Sequence, residues 1–172
     1  MLQQLALMGA ALLPDTAKIL DRLVAAQHFG LKTRLLDWTS NPLAALWFAC
    51  SSRDPGDAYV YALATDGILL ENAYETDPFS HTATKVFQPR LNNARVLAQH
   101  SWFTLHCFSP ENHIWVRLET HAKAKNGLIE IVIPKANRNE MLQSLDRHGV
   151  SARTLFPDLG GLCQHLNWQH AV

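Results

Sequence analysis

The chain has 172 residues, 48% of them hydrophobic, and its 15 Lys plus Arg balance 15 Asp plus Glu to a formal charge of zero. That length suffices for a single domain, residues 1–172, that buries about 70% of the surface its unfolded chain exposes. Zero net charge lacks the electrostatic footprint that nucleic acids and anionic membranes usually require, so nucleic acid is disfavoured as a partner and only a local basic patch could bind it.

The opening MLQQLALMGAALLPD is apolar. It has no basic n-region and is interrupted by Gln and Gly, so neither a secretory signal nor a spanning helix is expected. No membrane partner is expected either, and the localisation it implies is cytoplasmic. Asp15 is a suitable N-cap for a helix in which Ile19, Leu20, Leu23 and Val24 recur at helical spacing, and Gly30 suits the position just past its end. The apolar stripe runs on to Gln27 and His28, which places two polar residues on the buried face of the last turn, where they need partners.

Thr33 to Trp38 reads as an extended segment with Arg34, Leu36 and Trp38 on one side and Thr33, Leu35 and Asp37 on the other. Asn41 should cap a helix that starts at Pro42 and is apolar all round from Leu43 to Cys50, hence buried. After the Asp54–Gly56 turn, Ala58 to Leu63 reads as an interior strand. Thr65 to Pro89 is polar and aperiodic, a long loop. RVLAQ, WFTLHCF and HIWVRLE read as strands, the last with Ile114, Val116 and Leu118 alternating. Leu128 to Ile133 alternates again, with Ile129, Ile131 and Ile133 on the core side, and Pro134 ends it. Asn137 should cap a helix with Met141, Leu142 and Leu145 inward and Gly149 behind it, and Asp158 caps a last helix after Pro157. The expected class is α+β, a mostly antiparallel sheet with flanking helices.

Cys50, Cys107 and Cys163 form an odd set without CxxC spacing, which fits buried reduced thiols. No pair among the nine histidines has HExxH spacing, and no metal is expected. Arg34 and Asp37 are the costly residues, because an arginine and a carboxylate among leucines and a tryptophan must pair with buried groups or face a cleft. One outcome is a clamp that fixes the strand onto the following helix. The other is a ligand site at the strand-to-helix turn, where helix N–H groups and Arg34 would suit a phosphate. AQHFG at Ala26–Gly30 is echoed by AQHSWF at Ala98–Phe103. Two Gln-His pairs beside aromatics could line one pocket, although strings this short also recur by chance.

AQHFGLKTRLLDWTSNPLAALWFA resembles the signature of the FRG domain family, NARVLAQHSWFTLH resembles that family's second block, and GVSARTLFPDLGGLCQHL resembles its closing stretch. The resemblance spans residues 20–168, with Lys32 where the family usually has proline. The Phe-Arg-Gly tripeptide that names the family does not occur in the chain. The resemblance therefore implies a shortened member or a strand supplied by a partner polypeptide. More distantly, LLDWTSNPLAALWFA is similar to the Ser-Thr-Ser strand and following helix of ADP-ribosyltransferases, with Asp37, Trp38, Thr39 and Ser40 in the Ser-Thr-Ser place.

That similarity implies an ADP-ribosyltransferase-like fold with NAD as co-substrate, in a bacterial toxin or phage-defence effector. Trp38 would stack on nicotinamide, Thr39 would hold the ribose, and Gln27, His28, Ser40 and Phe103 would complete the NAD site. Arg34, Asp37 and Gln99 would carry catalysis, with a later acidic or amide side chain, Gln99 in this chain, stabilising the oxocarbenium-like centre as nicotinamide leaves. Gln99 stands where a glutamate is usual, while Glu119 and Glu130 lie on later strands. The alternative is a non-catalytic binding or regulatory module, in which Gln27, His28, Arg34 and Asp37 are structural and an exposed sheet edge pairs with a partner chain.

Overall fold

The computed structural model describes residues 1–14, 17–109, 111, 113–121 and 123–170. In chain order the helices and strands begin with α1 (Leu2–Met8), α2 (Ile19–His28), β1 (Leu35–Thr39), α3 (Pro42–Ser51), β2 (Ala58–Leu63), β3 (Lys85–Phe87) and α4 (Ala94–Ala98). They continue with β4 (Ser101–Leu105), β5 (Phe108–Ser109), β6 (Ile114–Trp115), β7 (Leu128–Ile133), α5 (Arg138–Arg147), α6 (Ala152–Leu155) and α7 (Leu159–Gln169). This is a mixed helix and strand fold with small sheets: β1-β4-β3, β2-β7 and β5-β6. No described helix is long and apolar enough to cross a membrane.

The chain divides into two compact units. The first comprises Met1–Asp37, Ala64–Arg90 and Trp102–Asn126. Its core joins Leu20 and Leu23 of α2 to Leu35, Ala73, Phe87, Phe103 and Leu105. Of the periodic apolar residues of α2, Leu20, Leu23 and Val24 find the cover that their spacing demands, whereas Ile19 is 45% exposed. Lys18, not Asp15, takes the N-cap position of α2, and its backbone N–H is held by the Asp21 carboxylate at 2.9 Å. Asp15 itself lies outside the described residues. At the other end Gly30, at φ +85°, closes a Schellman turn, with Gly30 N–H to Gln27 and Leu31 N–H to Ala26.

The second unit comprises Trp38–Leu63, Leu91–Ser101 and Gly127–Val172. Ala44 and Trp47 of α3 pack with Leu145, Ala152 and Leu155, and Cys50 packs with Ala58 and Ile133. Strands β2 and β7 pair antiparallel from Ala58↔Ile133 to Leu63↔Leu128. Asp158 accepts the Gly161 N–H at 2.9 Å as the N-cap of α7, and Arg95 reinforces the carboxylate at 2.6 Å.

Several expectations are corrected. RVLAQ is helical, because Asn93 accepts the Arg95 N–H at 2.8 Å and starts the turn of α4. Thr65 to Pro89 is packed rather than looped out: Ile68, Ala73, Val86 and Phe87 are buried, Leu69 bridges Val86, and β3 pairs with β4. HIWVRLE forms only the two-residue strand β6 followed by a 3₁₀ turn at Leu118–Thr120. α3 buries one face only, leaving Leu43 and Phe48 each 39% exposed. β2 is not interior, since among the described residues it has β7 alone beside it and it exposes Tyr59 and Tyr61. Of the three isoleucines assigned to the core side of β7, only Ile133 is buried. Cys163 is exposed, unlike Cys50 and Cys107.

Candidate functional site

In the first unit, the polar end of α2 and the start of β1 form a closed network. Gln27 donates from Nε2 to Asp37 Oδ2 at 2.8 Å, and its Oε1 accepts the Thr33 hydroxyl at 2.7 Å. Thr33 Oγ1 in turn accepts the Leu35 N–H at 3.0 Å. Both ends of the Gln27 amide are occupied, and the network ties the last turn of α2 to the strand side carrying Thr33, Leu35 and Asp37. The polar face predicted at Gln27 and His28 therefore finds partners as required. His28 sets its ring edge-on to Phe29 at 5.0 Å.

Arg34 leaves the opposite side of the extended segment, so it does not join Asp37. Its Nη1 donates to the Pro78 carbonyl at 2.7 Å, and its guanidinium lies 5.0 Å from the Phe79 ring centre and 5.4 Å from that of Trp115. A weakly hydrated planar cation suits two aromatic neighbours, whereas an ammonium would resist the partial desolvation. Burial lowers the pKa of this guanidinium, opposed by Cys107 and Asp77. Nearby, His106 bonds the Thr104 hydroxyl through Nε2 at 2.9 Å and approaches the Val116 carbonyl through Nδ1 at 3.4 Å. Burial pushes its pKa below the ordinary imidazole value, and the Arg34 charge acts in the same direction. Phe103 is 4% exposed and stacks on Phe87 at 5.7 Å, so its ring belongs to the core.

In the second unit, Thr39 donates its hydroxyl to the Gln99 carbonyl at 2.7 Å and accepts the Asn41 N–H at 3.0 Å. The Gln99 side chain donates to the Leu155 carbonyl at 3.0 Å. Ser40 is exposed and its backbone N–H reaches the His100 carbonyl at 3.1 Å, while Trp38 is half-buried. Asn41 Oδ1 takes the Leu43 N–H at 3.0 Å, and Ala45 N–H bonds the Asn41 carbonyl. Of the N–H groups offered to a phosphate at Asn41 and Leu43 to Leu46, those of Asn41, Leu43 and Ala45 are thus already bonded within the chain.

The two Gln-His pairs fall in different units, Gln27–His28 in the first and Gln99–His100 in the second. Pro78, Phe79 and Trp115 were not foreseen as partners of Arg34. The only sequence signal was that an arginine flanked by leucines must find desolvated neighbours somewhere. Arg138 was also missed. It holds the carbonyls of Cys50, Ser52, Asp54 and Gly56 and so closes the C-terminal end of α3.

Residues 8–58 match the model of the FRG domain, and the matched stretch contains α2, β1 and α3 with the Gln27, Arg34, Asp37 and Thr39 contacts just described. No curated protein and no solved structure matches the chain.

Proposed function

With an FRG-domain sequence at residues 8–58 as premise, we propose that this chain is a non-catalytic binding module that takes a protein partner as an added β-strand. The observation that carries the reading is the β2–β7 sheet. It has two strands, and among the described residues neither strand has a second neighbour. Tyr59 is 49% exposed and Ile129 61% exposed. A two-stranded sheet is marginal on its own, and its unpaired edges offer rows of N–H and C=O groups to another strand. The fitting occupant is an extended apolar segment of a partner protein. Side chains of the signature block and of the second block support the same reading, because Gln27, Asp37 and Thr39 of the one and Gln99 of the other bond inside the fold.

Light scattering tests this. An exposed apolar edge without its partner self-associates, so the wild-type chain should grow in mass with concentration, while a variant carrying Ile129→Lys and Ile131→Lys stays monomeric. A wild-type chain that remains monomeric at every concentration would overturn the reading.

A second reading has one observation in its favour. β1 passes through Ser40 and Asn41 directly into α3, the strand-to-helix order of the ADP-ribosyltransferase element that Asp37–Ser40 resembles. On that reading Arg34, Asp37 and Gln99 act on NAD held by Gln27, His28, Trp38, Thr39, Ser40 and Phe103, in a toxin or phage-defence effector. NAD consumption by the chain, lost in folded Arg34→Ala and Asp37→Ala variants, would favour it over the binding module.

A further inference from the structure

The second unit contains a cavity of about 350 Å³, to which the signature block contributes Trp47. Its size falls in the range of small-molecule sites. Trp47, Leu142 and Trp168 give it apolar and aromatic walls, and Asp146, Gln164 and His165 give it polar groups. Among the described residues that line it there is one carboxylate, Asp146, and no lysine or arginine.

Two features of the polar side are costly without a ligand. His165 is 4% exposed, and its Nδ1 is buried with no hydrogen-bond partner among the described residues. Asp146 Oδ1 stands 3.8 Å away, beyond hydrogen-bond length, and would form an ion pair with the ring only if the imidazole were protonated. The His165 ring stacks on Trp168 at 6.1 Å. Asp146 sits in the last turn of α5, where the negative end of the helix dipole disfavours a carboxylate.

We propose that this cavity binds a small organic cation, an ammonium group on an apolar or aromatic body. The ammonium N–H groups would donate to Asp146 and to the His165 ring nitrogen, and the body would lie against the tryptophans and Leu142. A cation answers each cost at once: it pairs the carboxylate against the helix dipole, gives the orphaned ring nitrogen a donor, and is attracted by indole faces. An anion would meet Asp146 with no lysine or arginine among the described lining residues to offset it.

The test uses the full chain with 2-phenylethylammonium and its neutral counterpart 2-phenylethanol as probes, followed by NMR of the Trp47 and Trp168 indole N–H resonances. The ammonium compound should shift both resonances saturably and bind about tenfold or more tightly than the alcohol. Asp146→Asn removes a carboxylate from an unfavourable helix end, so it should melt no lower than wild type, and it should abolish the preference for the cation. Absence of saturable shifts, equal binding of the two probes to the wild type, or an undiminished preference in Asp146→Asn would each overturn the proposal. The probe comparison needs no variant and stands even if the substitution perturbs folding.

Discussion

Gln27 shows why a polar residue can sit on the buried stripe of an amphipathic helix: a side-chain amide offers a donor and an acceptor, and Asp37 and Thr33 take one each. His106 meets its buried position differently, by remaining neutral. Its folded pKa is pushed below the ordinary 6.5 by burial, with the Arg34 cation adding to the effect. A depressed folded pKa means that the unfolded chain binds the proton more readily. The stability this group contributes is therefore complete above the ordinary imidazole value and is lost as pH falls toward the folded one. Thermal melts from about pH 8 to about pH 5 should show the wild type losing stability more steeply than His106→Gln, which keeps an amide able to bond the Thr104 hydroxyl. Equal slopes would assign the acid sensitivity to other groups, His81 first among them, since burial lowers its pKa too.

Among the elements, those announced by a terminus were legible in the sequence. Asn41 with Pro42 starts α3, Gly30 and Gly149 end α2 and α5 at positive φ, and Asp158 starts α7. What the sequence did not disclose was which faces become covered. Alternation along β7 separates Ile129, Ile131 and Ile133 from their neighbours, yet burial requires a packing partner, and of the three only Ile133 is buried. α4 is five residues long, too short for helical periodicity to outweigh the strand-like look of Val96 and Leu97. The candidate site divides in the same way. The need for partners at Gln27, Arg34 and Asp37 was readable, whereas Phe79, Trp115 and the Asp146–His165 pair depend on tertiary placement. Arg138 extends the point, because nothing near it in sequence shows that it will bond the carbonyls of Cys50, Ser52, Asp54 and Gly56. Replacing it by methionine keeps the aliphatic stem but removes every one of those donors. Arg138→Met should therefore lower stability by about 2 kcal/mol, measured by urea unfolding, and Arg138→Lys should recover only part, as a point charge cannot serve several divergent carbonyls.

At the scale of the whole molecule, the two units are interleaved along the chain, each built from three segments. Their cores are nonetheless separate sets of residues, Leu20 to Leu105 in one and Ala44 to Leu155 in the other. Ending the chain after Asn126 would keep every segment of the first unit but remove β7, α5, α6 and α7 from the second. β2 would then lose the strand that bonds it, and Trp47 would lose Leu145, Ala152 and Leu155. Local stability follows local burial and pairing, so the shortened chain should keep slow hydrogen exchange at Leu23, Phe103 and Leu105 while residues 42–63 exchange fast and become the first sites of proteolysis. If protection is lost throughout, the first core depends on the second, and the two units unfold as one cooperative block despite their separate apolar clusters.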